Sequence, residues 1–272
     1  MNILKPERKL AILTGLVEGC SARSISRMTG AHLETVLKVL VETGQHCQHL
    51  LDEKVRGLHC EAVELDELWA FVQKKQRRLT AEEKLYHPEY GDTYTFVALD
   101  PTTKVVVSYW VGKRDFPSTD AFIMDLSRRI DGEVQLSTDG YAAYIDAIQR
   151  HFGFRATHAE LVKLYAAENP GPSRYAPPKV TGIQIQERWG IPDRSKICTS
   201  YVERNNWTMR CQIRRLTRLT NAFSRKLENL KAAIALWFAY YNFCRLHGSI
   251  RVTPAMQAGI TDRIWELREL AA

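Results

Sequence analysis

Paired cysteines, a long apolar run and a secretory leader are all missing from this sequence. Its six cysteines are scattered over 272 residues with no CxxC pair, which argues against a disulfide framework or a cysteine zinc module and predicts reduced thiols. No stretch of about 18 apolar residues occurs, so no membrane span is expected. The opening segment, MNILKPERKLAIL, lacks a leader pattern, and we therefore expect a cytoplasmic protein that needs no membrane.

Acidic residues are absent from one basic stretch, 204–226, which begins directly after Glu203. Its seven basic residues are Arg204, Arg210, Arg214, Arg215, Arg218, Arg225 and Lys226. A solvated helix face usually mixes charges, so a stretch of one sign favours contact with phosphates, although any of these side chains could pair with acids elsewhere. Arg204 and Arg214 are the preferred backbone contacts, followed by Arg215 and Arg218. The net charge of +7 favours a polyanionic partner only weakly.

Three short helices are predicted at the beginning of the chain. Apolar residues recur at helical spacing over 5–19, 22–28 and 33–43, with a tight turn at 29–31. This arrangement indicates a helix-turn-helix domain over 1–50, followed by a linker over 51–60. The third helix would present His32, Thr35 and Lys38 to the bases of a major groove. Small helical modules of this kind also serve in dimerisation or packing, and that alternative stays open.

The middle of the chain alternates strands with helices. Three β-rich runs come first: one over 61–72, one that ends at residue 100 and one that ends at residue 112. A helix capped by Ser118 and a short strand ending at Asp139 follow them. A further helix, a fifth strand and two long helices (200–219 and 225–246) complete the order βββαβαβα. This order is that of the ribonuclease H-like fold, an α/β architecture with a mixed five-stranded sheet. The predicted domain covers 61–250, with an insertion at about 166–197 and a tail over 251–272.

Three acids stand at central positions of this predicted domain. Asp66 lies within the first strand, Asp139 just after the fourth, and Glu203 in the first turn of the penultimate helix. Adjacent first and fourth strands, crossed by that helix, would bring the acids together, and hard oxygen ligands suit two Mg²⁺ or Mn²⁺ ions. Each acid also has an ordinary structural explanation: Asp139 with Gly140 is a common turn pair, Glu203 has capping-box spacing from Ser200, and Glu64 and Glu67 are rivals of Asp66.

Four strings of this sequence resemble DDE transposases of bacterial insertion sequences, in particular the insertion sequence 1 type. They are STDGYAAY, TSYVERNNWTMR, RRLTRLTNAFSRK and YYNFCRLHGSIRVTPAM, and the similarity extends from about residue 61 onward. The resemblance implies that Asp66, Asp139 and Glu203 are catalytic acids that bind the metal ions. His247, within RLHGSI, could support the site or serve a structural role. One departure is that the cysteine-based zinc segment found before the helix-turn-helix in many relatives is missing here.

The expected activity is cleavage of the 3′ ends of a mobile element and their joining to target DNA. The expected partners are double-stranded DNA, at the element ends and the target, and further copies of this chain in a homodimer or higher homo-oligomer. Two alternatives stay open: a domesticated DNA-binding regulator that keeps the fold without chemistry, and a ribonuclease H-like nuclease without strand joining. Joined target products would distinguish the nuclease from the transposase, because the metal site would be the same.

Overall fold

A mixed β-sheet lies at the centre of the computed structural model, which describes residues 4–166 and 179–271. Within these residues the sheet has six strands in the order β3-β2-β1-β4-β5-β6. The strands are β1 (Ala62–Val72), β2 (Gly91–Leu99), β3 (Val106–Gly112), β4 (Val134–Thr138), β5 (Ala156–Tyr165) and β6 (Val180–Trp189). The predicted count of five was therefore wrong by one, because β6 forms inside the predicted insertion over 166–197. Residues 167–178 of that insertion lie outside the described residues.

The strand register brings two of the predicted acids side by side. β1 pairs with β2 antiparallel and with β4 parallel, and Glu64 lies opposite Ser137. Asp66 lies two residues after Glu64 on β1, and Asp139 lies two residues after Ser137, just beyond β4. β1 and β4 are adjacent at the centre of the sheet, which confirms the prediction that the first and fourth strands are neighbours.

The N-terminal helices are α1 (Pro6–Val17), α2 (Ala22–Thr29) and α3 (Leu33–Lys54). Ser21 caps α2 by accepting a hydrogen bond from the Ser24 backbone N–H at 3.0 Å. Gly30 then ends α2 with φ +65°, a conformation that glycine adopts without steric cost. The third helix was predicted to end at residue 43, but α3 continues through the predicted boundary at 50 and into the predicted linker over 51–60.

The remaining helices are α4 (Ala81–Tyr86), α5 (Phe116–Ser127), α6 (Ala143–Phe152), α7 (Ser200–Gln212), α8 (Leu227–Ala239) and α9 (Pro254–Gln257). Asp115, not Ser118, caps α5, and the Ser118 backbone N–H donates to its carboxylate. The last two long helices are shorter than predicted, because the chain between them forms a 3₁₀ turn and Leu219 adopts φ +59°. After α8 a π-helical turn, Tyr240–Cys244, continues the chain.

Helices cover both faces of the sheet. Successive side chains of β1 point to opposite faces: Asp66 contacts Asn206 of α7, and Glu67 lies beside Tyr144 of α6. Buried residues of α1 to α3 belong to the same hydrophobic core as those of the sheet and α8. In the described part of the chain, no helix has the length and apolar composition of a membrane span.

Candidate active site

Asp66 is held by an amide from α7. The Asn206 Nδ2 group donates a hydrogen bond to Asp66 Oδ2 at 2.8 Å, and Asn206 is only 6% exposed. The two residues belong to different elements, so this contact joins α7 to the centre of β1. It fixes the orientation of the Asp66 carboxylate, since a buried amide has few alternative positions.

Asp139 lies directly after β4, and its carboxylate has two partners. Oδ1 accepts a hydrogen bond from the Tyr141 backbone N–H at 2.9 Å, and Oδ2 lies 3.4 Å from Nη2 of Arg114. The first contact is the turn role considered from the sequence. The second joins this acid to a cation that sequence patterns did not single out.

Glu203 projects from the first turn of α7 toward two partners. Thr199 Oγ1 donates to Glu203 Oε1 at 2.8 Å, and Lys163 of β5 forms an ion pair with the carboxylate. The N-cap of α7 is Thr199, and it makes no side-chain cap hydrogen bond. The capping-box explanation for Glu203, with Ser200 as the cap, is therefore wrong.

The two rivals of Asp66 have other partners. Glu64 Oε2 accepts hydrogen bonds from the backbone N–H groups of Tyr201 and Val202, at 2.8 and 2.9 Å, and so stabilises the beginning of α7. Glu67 accepts a hydrogen bond of 2.9 Å from Arg114 Nε. Burial raises the pKa of Glu64, and burial with the nearby charge of Asp139 raises the pKa of Glu67 to about 7.

Asp66 lies within electrostatic reach of both other predicted acids. Burial raises the pKa of Asp66 to about 6, and the negative charges of Asp139 and Glu203 contribute to the rise. Arg114 and Lys163 offset part of this negative charge. Within residues 4–166 and 179–271, no three His, Cys, Asp or Glu side chains lie close enough to hold one metal ion together.

Three residues that contact the acids were missed from the sequence: Asn206, Arg114 and Lys163. Asn206 lies within the quoted string TSYVERNNWTMR, but nothing in its spacing indicates a contact with β1. Arg114 and Lys163 lie 25 and 40 positions away from the acids that they meet. Only the strand order brings them together, so no local signal could have identified them.

The basic stretch after Glu203 divides into exposed and internally bonded arginines. Arg204, Arg214 and Arg218 are exposed. Arg210 donates to the Leu216 and Trp69 carbonyls, and Arg215 donates to Ser224 Oγ. Burial lowers the pKa of both to about 10. The structure therefore gives Arg210 and Arg215 internal partners in place of the free guanidinium groups expected of backbone contacts.

The predicted base-reading residues lie at the beginning of α3. His32 is its exposed N-cap, with Nδ1 accepting from the Glu34 backbone N–H at 3.4 Å. Exposed Lys38 lies 3.7 Å from Glu42, and Thr35 is half-buried. A cleft of about 640 Å³ separates the beginnings of α2 and α3 from the basic loop before α8. Both sides of this cleft carry arginines, Arg23 on one and Arg214 on the other.

His247 follows the π-helical turn. Its Nδ1 lies 3.0 Å from Ser249 Oγ, and its ring meets Tyr241 edge-on at 6.3 Å between centroids. Burial lowers its pKa, and the positive charges of Lys104 and Arg245 act in the same direction. In the described chain its contacts are with these neighbours and not with the three acids.

Comparisons with known proteins gave structural neighbours only. No family model and no curated protein matches the chain. A cryo-EM structure of piggyBac transposase in a synaptic complex with hairpin DNA overlaps at TM-score 0.43 and 11% identity, over 99% of this chain and 70% of that chain.

Two structures of Mos1 transposase also overlap. The paired-end complex with the left transposon end gives TM-score 0.22 and 15% identity, over 55% of this chain and 59% of that chain. The strand transfer complex gives TM-score 0.25 and 15% identity, over 89% of this chain and 79% of that chain. Since overlaps this partial do not define an activity, the function of this chain is inferred from its own side chains.

Proposed function

We propose that this chain is a DNA transposase of the DDE type, and that Asp66, Asp139 and Glu203 hold two divalent metal ions, Mg²⁺ or Mn²⁺. The observation that supports the proposal is geometric: Asp66 and Asp139 lie two residues beyond the paired Glu64 and Ser137 of the neighbouring strands β1 and β4, and Asn206, one turn after Glu203 on α7, donates to Asp66 at 2.8 Å. The charges of Asp139 and Glu203 each act unfavourably on Asp66, and a bound divalent cation would relieve that repulsion. The proposed reactions are hydrolysis at the 3′ ends of an element and transesterification into target DNA.

The chemistry of the donor set fits such ions, because carboxylate oxygens are the ligands that Mg²⁺ and Mn²⁺ prefer. Arg114 and Lys163 supply the positive charge beside Asp139 and Glu203 in the structure as described. We expect the Arg114 and Lys163 side chains to release these carboxylates when divalent metal ions bind. Ions held by Asp66, Asp139 and Glu203 would supply activation of the attacking oxygen and stabilisation of the leaving oxygen of a phosphodiester.

The surrounding residues have separate roles in this proposal. Asn206 orients Asp66 through its 2.8 Å hydrogen bond. We expect Arg114 and Lys163, once released, to contact the scissile strand. The exposed Arg204, Arg214 and Arg218 neutralise phosphates along α7 and the loop after it. The helix-turn-helix role of α2 and α3, with His32, Thr35 and Lys38 at the bases, belongs to the same proposal, as does a homodimer or higher homo-oligomer on double-stranded DNA.

The test uses DNA taken from both flanks of the gene, with a target plasmid and Mg²⁺. We expect wild-type protein to nick the element ends and to give joined products. Asp139→Asn should abolish both steps while binding the ends nearly as well, because the charge at the site changes and the shape does not. Asp146→Asn on the exposed side of α6 is the matched control and should keep full activity. Cleavage by Asp139→Asn would refute the assignment, and nicking without joined products would favour a nuclease.

The regulator alternative has one observation in its favour. The carboxylates of Asp139 and Glu203 are paired with Arg114 and Lys163, as in a protein that uses these acids for structure. End binding by the wild-type protein, with no cleavage in Mg²⁺ or Mn²⁺, would establish this alternative.

A further inference from the structure

A pocket lies beside α7 on a side that the three acids do not use. Glu203 and Asn206 point toward the acid cluster, whereas Tyr201, Arg204 and Thr208 of the same helix line the pocket. Its other wall is formed by the segment after α8, through Tyr240–Cys244 to Ser249. The volume is about 420 Å³, within the roughly 300–1,000 Å³ of typical ligand pockets.

The charged side chains that line this pocket are all basic. Its charged lining residues are Lys104, Arg204 and Arg245, and His247 lies beside them. Among the described residues that line it, none is an Asp or Glu. Beneath the pocket Glu64 and Asp100 act on Lys104, which also donates to the Pro101 carbonyl, so this lysine is partly neutralised.

Within the described residues, Arg204 and Arg245 contact aromatic rings and not acidic side chains. Arg204 stacks over Trp207 with its Cζ 5.1 Å from the ring centroid, and Arg245 stacks over Trp237 at 5.4 Å. Neither guanidinium forms an ion pair with the described part of the chain. Stacking on an aromatic face holds a guanidinium in place while leaving its N–H donors for a planar or tetrahedral anion.

A buried amide in the same lining has an unused acceptor. Asn205 is 5% exposed, and its Nδ2 donates to Met209 Sδ at 3.7 Å. Its Oδ1 has no hydrogen-bond partner in the described chain, and leaving a buried acceptor unpaired costs about 1–3 kcal/mol. A ligand that carries a donor, such as a hydroxyl or an amino group, would satisfy it. Inorganic phosphate carries its hydroxyl donors on the phosphorus itself, whereas a nucleotide carries donors on its base, and when free also on its sugar, away from the phosphate that the arginines would bind.

We infer that this pocket binds a nucleotide unit through its phosphate group, held by Arg204 and Arg245, with Asn205 accepting a hydrogen bond from the sugar or base. Two sources share this chemistry: a nucleotide within a DNA strand and a free mononucleotide. The first source deepens the proposed function and rests on it, and the second does not. Nucleotide binding is therefore measured without divalent metal, where the proposed chemistry at Asp66, Asp139 and Glu203 does not operate. If that chemistry proves wrong, binding to the pocket is unchanged, so the two proposals can fail separately.

The first experiment measures binding of a labelled single-stranded oligonucleotide and of adenosine monophosphate to the full chain in EDTA. Gly248 is at the pocket rim, and a Cβ built there has no atom within 4 Å. Gly248→Glu therefore adds a negative charge without a steric clash, and Gly248→Gln is its matched neutral control. We expect Gly248→Glu to weaken binding by about tenfold or more and Gly248→Gln to leave it within about twofold. Equal binding by the two variants would overturn the inference.

The second experiment removes the cations. Arg204→Gln and Arg245→Gln should each weaken binding and lower the slope of log affinity against log salt by about 0.7 for a single strand. Arg8→Gln, an exposed change on α1 of equal charge, should lower neither to that extent. If only the oligonucleotide responds, the ligand is a strand, and if the monophosphate responds equally, it is a free nucleotide. Unchanged binding of both probes contradicts the assignment of these arginines.

Discussion

At the scale of single residues, the distinction among the acids of β1 depends on their partners. Glu64, Asp66 and Glu67 lie within four consecutive positions, and each has a different partner: the beginning of α7, the Asn206 amide and Arg114. Glu64 and Glu67 are thus used for packing and pairing. The charges of both Asp139 and Glu203 raise the pKa of Asp66, which is a physical reason for a choice that rested on family resemblance in the sequence.

His158 carries a residue-scale prediction about pH. It is 1% exposed on β5, and its Nε2 lies 2.9 Å from Thr138 Oγ1, one residue before Asp139. Burial lowers the pKa of His158 to about 4, and the charge of Arg188 contributes. The unfolded chain therefore binds this proton at a higher pH than the folded chain does. Stability from the neutral imidazole is complete above about pH 6.5 and is lost as pH falls toward 4, by up to about 3 kcal/mol.

The measurement compares urea unfolding of the wild type and His158→Gln between pH 7 and 4. Asp66 and Glu67, with raised pKa values, take up protons in the same range and favour the folded state as pH falls. Both proteins contain Asp66 and Glu67, so the effect of these two acids cancels when the free energy of unfolding of the variant is subtracted from that of the wild type at each pH. We expect the free energy of unfolding of the wild type to fall relative to that of the variant over this range. Parallel curves would show that His158 does not titrate as described.

At the scale of elements, α3 and α8 approach closely at one glycine. A Cβ placed on Gly44 would lie 2.5 Å from the backbone and side chain of Ala232, so the two helices pack here without room for a methyl group. Gly44 lies beyond the predicted end of the third helix at residue 43. In a sequence pattern a glycine is typical of a helix stop, whereas in the fold it permits the close packing that lets α3 continue to Lys54.

Gly44→Ala tests this packing because two effects oppose each other. Helix propensity alone predicts stabilisation by roughly 1 kcal/mol. The steric clash with Ala232 predicts destabilisation of about 1–3 kcal/mol or more. We expect a net loss in the free energy of unfolding by urea denaturation, with Gly248→Ala, which meets no atom within 4 Å, as the neutral control. A Gly44→Ala variant more stable than the wild type would refute the close α3 to α8 contact.

The sheet shows how far element prediction from the sequence extends. The first five strands were predicted because runs such as 62–72 and 134–138 are β-rich and end at turn residues. β6 was missed although Ile183 and Ile185 alternate with polar residues, because the surrounding segment is rich in proline and glycine. Three apolar side chains of β6, Val180, Ile183 and Ile185, remain exposed at the sheet edge, so the strand lacks the buried apolar face by which a strand is usually recognised in a sequence. Its pairing partner, β5, lies too far away for a local pattern to indicate.

At the scale of the whole molecule, one helix separates two electrostatic environments. On one side of α7 lie Asp66, Asp139 and Glu203, and on the other lies the pocket with Arg204 and Arg245. The N-terminal helices share the hydrophobic core of the sheet and α8. The predicted DNA-binding helices and the acids are therefore built on one packed unit, so any DNA bound by these helices would have a fixed position relative to the acids.

The central claim is that Asp66, Asp139 and Glu203 together bind the two proposed divalent metal ions, and calorimetric titration of the DNA-free protein with Mn²⁺ tests it most directly. We predict saturable binding to the wild type. Asp66→Asn, Asp139→Asn and Glu203→Gln should each weaken that binding by at least roughly tenfold, and Asp146→Asn should not. Mn²⁺ binding by any of the three variants that equals binding by Asp146→Asn would contradict the claim, as would a wild-type protein that binds no Mn²⁺.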